Sequence, residues 1–182
     1  MHVALVDRAK LGDAEAFDAL ARTVGDRCMA IAYRILRDRD LADDAVQAAL
    51  ITAWRELRSL RDAERFEPWL HRILTNACYA EARRTRRWSA DVRLLPVPAR
   101  DSAEVLTVND REQLESAFRR LTLEQRAVLV FHHYLGLSLA EVASRLDIPV
   151  GTAKSRLHHA TNALRASLDA DERTVTSQER PA

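Results

Sequence analysis

Cysteine, glycine and proline are scarce in this 182-residue chain, which holds two, four and five of them. Two thiols, Cys28 and Cys78, can build neither a disulfide framework nor a four-cysteine zinc site. Four glycines leave no glycine-rich phosphate loop. Aromatics make up 5% of the residues, and β-branched runs are rare, so little argues for strands. No run approaches the ~18 apolar residues of a membrane-spanning helix, and residues 1–12 lack the apolar centre of a signal peptide. Net charge is nearly absent too: 28 Lys and Arg stand against 27 Asp and Glu, leaving +1. Such a chain does not coat nucleic acid by bulk electrostatics, so any nucleic-acid contact must use local patches.

What is present favours helices. Alanine is the commonest residue, and 47% of the chain is hydrophobic. The length fits one ordinary domain or two small ones. Apolar residues recur at helical spacing from Asp13 to Leu36, with Asp13 as a plausible N-cap. A second helix is expected from about Leu41 to Leu57, capped by Asp40, with Val46, Leu50, Ala53, Trp54 and Leu57 on one face. Residues 58–65 read as a polar connection. A third helix begins near Glu67 and Pro68, carries Trp69, Leu70, Ile73, Leu74 and Ala77 inward, and passes into an arginine run at 83–87. Trp54, Trp69 and Ile73 read as core, and Cys28 and Cys78 as buried small hydrophobes.

Residues 88–110 break the pattern. They contain Pro96 and Pro98, four acidic residues and no sustained helical period, and predict an extended acidic linker. Helical periodicity resumes at Arg111. Thr122 with Gln125, and Ser138 with Glu141, each form the spacing of a capping box. Gly136 ends the helix between them. The tail over 169–182 is polar and reads as disordered. The expected architecture is therefore all-α: two small helical domains, at 1–87 and 111–168, joined by the linker at 88–110.

Residues 138–164 carry the most specific pattern. A short helix to Leu146 is followed by a three-residue turn and a longer helix from about Gly151 to Leu168. Ala143 is small where two helices must approach, Ile148 and Val150 can plug the turn, and Ala153, Leu157, Ala160 and Leu164 make a packing face. This is the spacing of a helix-turn-helix, whose second helix enters the major groove by its N-terminal residues. Thr152, Lys154, Ser155, Arg156, His158 and His159 are the polar residues available there. Pattern alone also allows a helical hairpin with a solvated polar face.

At these residues the chain resembles a known family. L-S-L-A-E-V-A-S-R-L-D-I-P-V-G-T-A-K-S-R-L-H over 137–158 is similar to the last conserved region of the extracytoplasmic-function sigma factors, the small two-domain members of the sigma-70 family. R-R-L-T-L-E-Q-R over 119–126 resembles the stretch preceding it. D-L-A-D-D-A-V-Q-A-A-L-I-T-A-W over 40–54, and F-E-P-W-L-H-R-I over 66–73 followed by Asn76, Arg83 and Arg84, resemble motifs of the family's first domain. The chain departs from the usual residues at Ala48, Leu50, Glu81, His159 and Thr161.

The resemblance implies a function and a set of contacts. The second helix would dock on the beta-prime clamp helices of core RNA polymerase through Asp43, Asp44 and Gln47, with the beta flap as a further polymerase contact. Arg58, Ser59, Arg61 and Asp62 would capture a flipped base of the minus-ten element. Asn76, Tyr79, Arg83, Arg84, Arg86 and Arg87 would face promoter DNA beside it. Thr152, Lys154, Ser155, Arg156, His158 and His159 would read the minus-thirty-five element. The acidic linker would thread into the polymerase cleft, and an anti-sigma factor is implied as a partner. Residue chemistry allows each of these, and also allows a dipole-compensating first turn at Asp43 and Asp44 and a solvated loop at 58–62.

No enzyme constellation accompanies these motifs. His132 and His133, and His158 and His159, are adjacent pairs rather than the i, i+4 spacing that aims two imidazoles at one metal. His71 and Cys78 share a helix face without a third ligand. No nucleophile elbow or pair of catalytic carboxylates is present. A cytoplasmic protein without metal, cofactor or catalysis of its own is expected. Two other readings stand beside the sigma factor: a stand-alone helix-turn-helix regulator, which should be more basic or dimeric, and a sigma-like interaction module without promoter binding, which should lack Arg83–Arg87 and Lys154–Arg156.

Overall fold

The computed structural model describes the backbone of residues 3–91 and 115–178 and the side chains of residues 3–85 and 115–166. The linker expected at 88–110 therefore lies mostly outside the described residues. Eight helices appear among the described residues, with no strand. They are α1 (Val3–Lys10), α2 (Ala14–Leu36), α3 (Arg39–Glu56), α4 (Phe66–Asp91), α5 (115–120), α6 (Leu123–Leu129), α7 (Leu139–Leu146) and α8 (Val150–Gln178). Two single turns of 3-10 helix, Leu57–Ser59 and Ala63–Arg65, join α3 to α4, and a π turn, Val130–Tyr134, extends α6.

Local chemistry sets most of these boundaries. Asp13 caps α2 by accepting from the Ala16 amide at 3.0 Å. Both expected capping boxes form: Thr122 with Gln125 opens α6, and Ser138 with Glu141 opens α7. Each such cap contributes about 1 kcal/mol. The α3 cap is a correction: Asp38, not Asp40, accepts from the Leu41 amide at 3.0 Å, so the helix starts two residues earlier. Asp40 instead lies in the first turn, where the dipole favours a carboxylate. Two ends also run past expectation. The backbone stays helical through 88–91, and α8 continues to Gln178, beyond the point at Leu168 where its apolar face stops. The polar composition of 169–178 is compatible with helix once a long preceding helix removes the cost of nucleation.

Helices α1 to α4 form one unit. Their core contains Val6, Leu20, Val24, Ile31, Ile35, Leu57, Leu70, Leu74, Cys28 and Cys78. The buried stripe of α3 is Ala42, Ala45, Ala49 and Ala53, spaced three, four and four apart. Alanine on that stripe lets α3 approach α2 and α4 closely, and the large residues turn outward. Trp54 is thus 38% exposed and Ile51 45%, which corrects the expectation that Trp54 is core. Trp69 is half-buried and Ile73 nearly fully buried, as expected.

Helices α5 to α8 form the second unit, and it packs onto the first. Phe131 is fully buried and meets His71 of α4 edge-on, with ring centroids 5.5 Å apart. Ala127, Val128, Val130, Val142, Ala143 and Ala153 join the same core cluster as the first unit. Polar contacts edge this seam. Arg37 closes α2 in the left-handed region and pairs with Glu115 of α5. Arg34 lies 3.8 Å from the centre of the Tyr134 ring. Arg126 donates to the Leu36 carbonyl at 3.4 Å.

Burial makes His71 an acid-sensitive point of this seam. Desolvation chiefly, then the positive charges of Arg145 and Arg27, pull its pKa from 6.5 to about 4. The unfolded chain takes up this proton near pH 6.5, whereas the folded chain resists until about pH 4. The folded state is therefore penalised as pH falls through that window, by on the order of 3 kcal/mol at its lower end. His71→Leu should flatten the dependence of unfolding free energy on pH between these limits, as measured by urea denaturation at a series of pH values. An unchanged slope in the variant would place the acid sensitivity elsewhere.

Candidate functional site

The helix-turn-helix forms as the spacing predicts. Asp147 ends α7 in the left-handed region at φ 54°, its amide donating to the Ala143 carbonyl. The Ile148 amide donates to the same carbonyl at 3.0 Å. Val142 and Ala153 are fully buried between α7 and α8, and Ala160 is buried further along, while Leu157 and Leu164 are half-buried. Ile148 is half-buried against the core, but Val150 is 51% exposed and does not plug the turn. It starts α8 and points outward because Ile148 already fills the space.

The polar residues of α8 divide into two groups. Lys154, Ser155, His158 and His159 are exposed. Ser155 spends its hydroxyl hydrogen on the Thr152 carbonyl at 3.1 Å, and His158 lies 3.0 Å from the Asn162 amide nitrogen through its Nε2. Thr152 and Arg156 are half-buried. Arg156 is near enough to Tyr79 of α4 to oppose the effect of burial on the phenol, whose pKa burial raises to about 12. The two residues expected at different promoter elements, Tyr79 and Arg156, therefore come within electrostatic range of each other.

The first unit presents the remaining candidates. Asp43, Asp44 and Gln47 are exposed on α3. Arg84 on α4 reaches Asp44 at 2.9 Å and Glu81 at 2.7 Å. A residue expected to hold DNA thus pairs with one expected to hold polymerase. Arg58, Ser59, Arg61 and Asp62 are all exposed on the connection between α3 and α4. Two of them also shape the backbone: the Ser59 hydroxyl donates to the Glu56 carbonyl at 2.7 Å, and Asp62 accepts from the Glu64 amide at 2.9 Å. Asn76 and Arg83 are exposed on α4. Arg86 and Arg87 continue its helical backbone, and their side chains lie outside the described residues.

Two surface features were not read from the sequence. An open apolar groove of about 500 Å³ is lined by Phe17, Leu50, Ile51 and Trp54, with Ala14 and Arg55 at its rim. It follows the outward side of α3 and so continues the sector of Asp43 and Gln47. A cleft of about 580 Å³ lies between α4 and the α5–α6 junction, lined by Tyr79, Arg83, Arg119, Arg120 and Glu124 among others. Adjacent arginines just before a Thr122 cap were its sequence signal. No helix among the described residues is long and apolar enough to cross a membrane.

Known proteins resemble this chain in both units. The family described as Sigma-70 region 2 matches residues 20–88, and Sigma-70, region 4 matches residues 111–164. Over 167 residues the chain is 35% identical to the ECF RNA polymerase sigma factor SigL of Mycobacterium tuberculosis, covering 86% of this chain and 93% of that one. The sigma factor RpoE of Bartonella quintana, solved with the anti-sigma factor NepR, superposes with a TM-score of 0.71 at 26% identity over 87% of this chain and 99% of its own. CnrH, solved with the cytosolic domain of CnrY, gives 0.66 at 26% identity over 93% and 97%. With region 2 on the first helical unit, region 4 on the second, and a relative at 35% identity matched over 93% of its length, the chain belongs to the extracytoplasmic-function RNA polymerase sigma factors.

Proposed function

We propose that this chain joins core RNA polymerase through α3, selects promoters through α4 and α8, and leaves all catalysis to the polymerase. The α7–turn–α8 geometry carries the reading, because it holds Lys154 and Ser155 outward near the start of α8 while Ala153 and Ala160 are buried behind them. Residues 1–87 serve as the polymerase-binding and minus-ten domain, 111–168 as the minus-thirty-five domain, and the acidic stretch at 88–110 as the segment between them. Asp43, Asp44 and Gln47 meet the beta-prime clamp helices, and the second domain meets the beta flap. Arg58, Ser59, Arg61 and Asp62 hold a flipped base, while Asn76, Tyr79, Arg83, Arg84, Arg86 and Arg87 follow the adjacent strand. The protein works in the cytoplasm, where an anti-sigma factor binds it, as one binds the Bartonella relative.

Promoter binding on this reading requires the two units to part. Elements named for positions ten and thirty-five lie ~25 base pairs apart, or roughly 85 Å at 3.4 Å per base pair. In the closed form the two units share one core, with Phe131 packed on His71. Residues 92–114, drawn out fully, reach at most about 80 Å. That reach, added to the breadth of the units themselves, suffices for both elements to be held at once, but only with the seam open.

Two outcomes test the reading. Asp43→Lys combined with Asp44→Lys breaks an exposed pair to Arg84, which costs at most about 1 kcal/mol of stability. The folded variant should nonetheless lose roughly tenfold or more in co-purification with core polymerase, since charge-assisted contacts carry that much. Retained co-purification would remove α3 as the main contact. Lys154→Ala should keep core binding and lose about 1–3 kcal/mol of base discrimination upstream in a promoter-library selection with holoenzyme. Identical upstream base preference in wild type and variant would make Lys154 a phosphate anchor.

A further inference from the structure

The cleft between α4 and the α5–α6 junction exists only while the two units are together, whereas the reading above uses Tyr79 and Arg83 on promoter DNA with the units apart. It takes Tyr79 and Arg83 from the first unit and Arg119, Arg120 and Glu124 from the second. Arginines elsewhere are commonly matched: Arg8 with Asp13, Arg22 with Asp18, Arg27 with Glu67 and Arg84 with Asp44. Arg83, Arg119 and Arg120 make no ion pair or hydrogen bond among the described residues. Three guanidiniums without a partner among the described residues thus line one concavity, whose described lining holds one carboxylate, Glu124. Tyr79 lines the same concavity with its ring, while its hydroxyl is buried out of reach of solvent.

We propose that this cleft binds a small anion bearing a chain of phosphates, with Arg83, Arg119 and Arg120 on the phosphate oxygens. Guanidiniums match phosphate oxygens two at a time, and three of them suit a chain better than a lone phosphate. The volume of about 580 Å³ is ample for a nucleoside triphosphate. A DNA duplex is the less favoured occupant, because it offers its phosphates on a convex surface while the cleft is concave. The binding is a property of the free, closed chain and does not depend on promoter recognition.

Calorimetric titration of the full-length free protein with ATP, and separately with inorganic tripolyphosphate, tests this. Saturable one-to-one binding is expected for both probes. Arg119→Ala combined with Arg120→Ala should weaken it roughly tenfold or more. Arg72→Ala, exposed on α4 and outside the cleft, should leave it unchanged. Tighter binding of ATP than of tripolyphosphate would identify a nucleotide, and equal binding a phosphate chain alone. The proposal is overturned if neither probe saturates, if the double arginine variant with a normal unfolding transition binds as wild type does, or if Arg72→Ala loses as much. Stoichiometric displacement of ATP by a duplex without promoter sequence would also overturn it and return the three arginines to DNA.

Discussion

Phe131 stands fully buried against His71, and the placement of both helical units depends on that contact. Small helical bundles bury too little apolar surface to be stable with ease. The second unit lends Ala127, Val128, Val130 and Phe131 to a core whose larger part belongs to the first unit. Removing a buried ring of that size costs about 3–5 kcal/mol. Around this apolar centre the seam turns polar: Arg37 meets Glu115, Arg126 meets a carbonyl of α2, and Arg34 covers Tyr134. Interfaces of this mixed kind between domains of one chain separate more readily than a continuous core. The seam is thus strong enough to give a defined closed form and polar enough to open when a larger partner competes.

Much of this fold was legible because local devices agreed with the global arrangement. Thr122 and Ser138 advertised their helices through the Gln and Glu three residues on, and both boxes form. The Asp147–Pro149 turn could be read because Ala143 and Ala153 leave room for α7 and α8 to meet. On α3 the reading failed in part. The expected face of Val46, Leu50, Ala53, Trp54 and Leu57 holds for Ala53 and Leu57, but Trp54 turns outward and close packing selected Ala42, Ala45 and Ala49 beside Ala53. The Asp38 cap escaped for a similar reason: four aspartates cluster between 38 and 44, and backbone geometry chooses which one accepts.

The site was legible residue by residue but not as a set. Motif spacing put Lys154, Ser155 and His158 on an outward face, and they are exposed. It could not say that Arg156 comes within electrostatic range of Tyr79, or that Arg84 bridges to Asp44. Those relations join residues 40 to 77 positions apart. They depend on how α4 lies against α3 and α8, and no local pattern encodes that. The cleft of Arg83, Arg119 and Arg120 belongs to the same class, since it exists only where two units meet.

Cys28 and Cys78 lie wholly inside the first unit, and burial raises their thiols to about 11 and about 12. Oxidants and electrophiles act on the thiolate, which neither side chain forms in the folded protein at neutral pH. The thiols are therefore chemically silent toward oxidants as long as the first unit stays folded. If the output of this protein is to follow the thiol redox state of the cell, the reacting cysteine must reside in another molecule, and this protein receives that information as a change in who holds it.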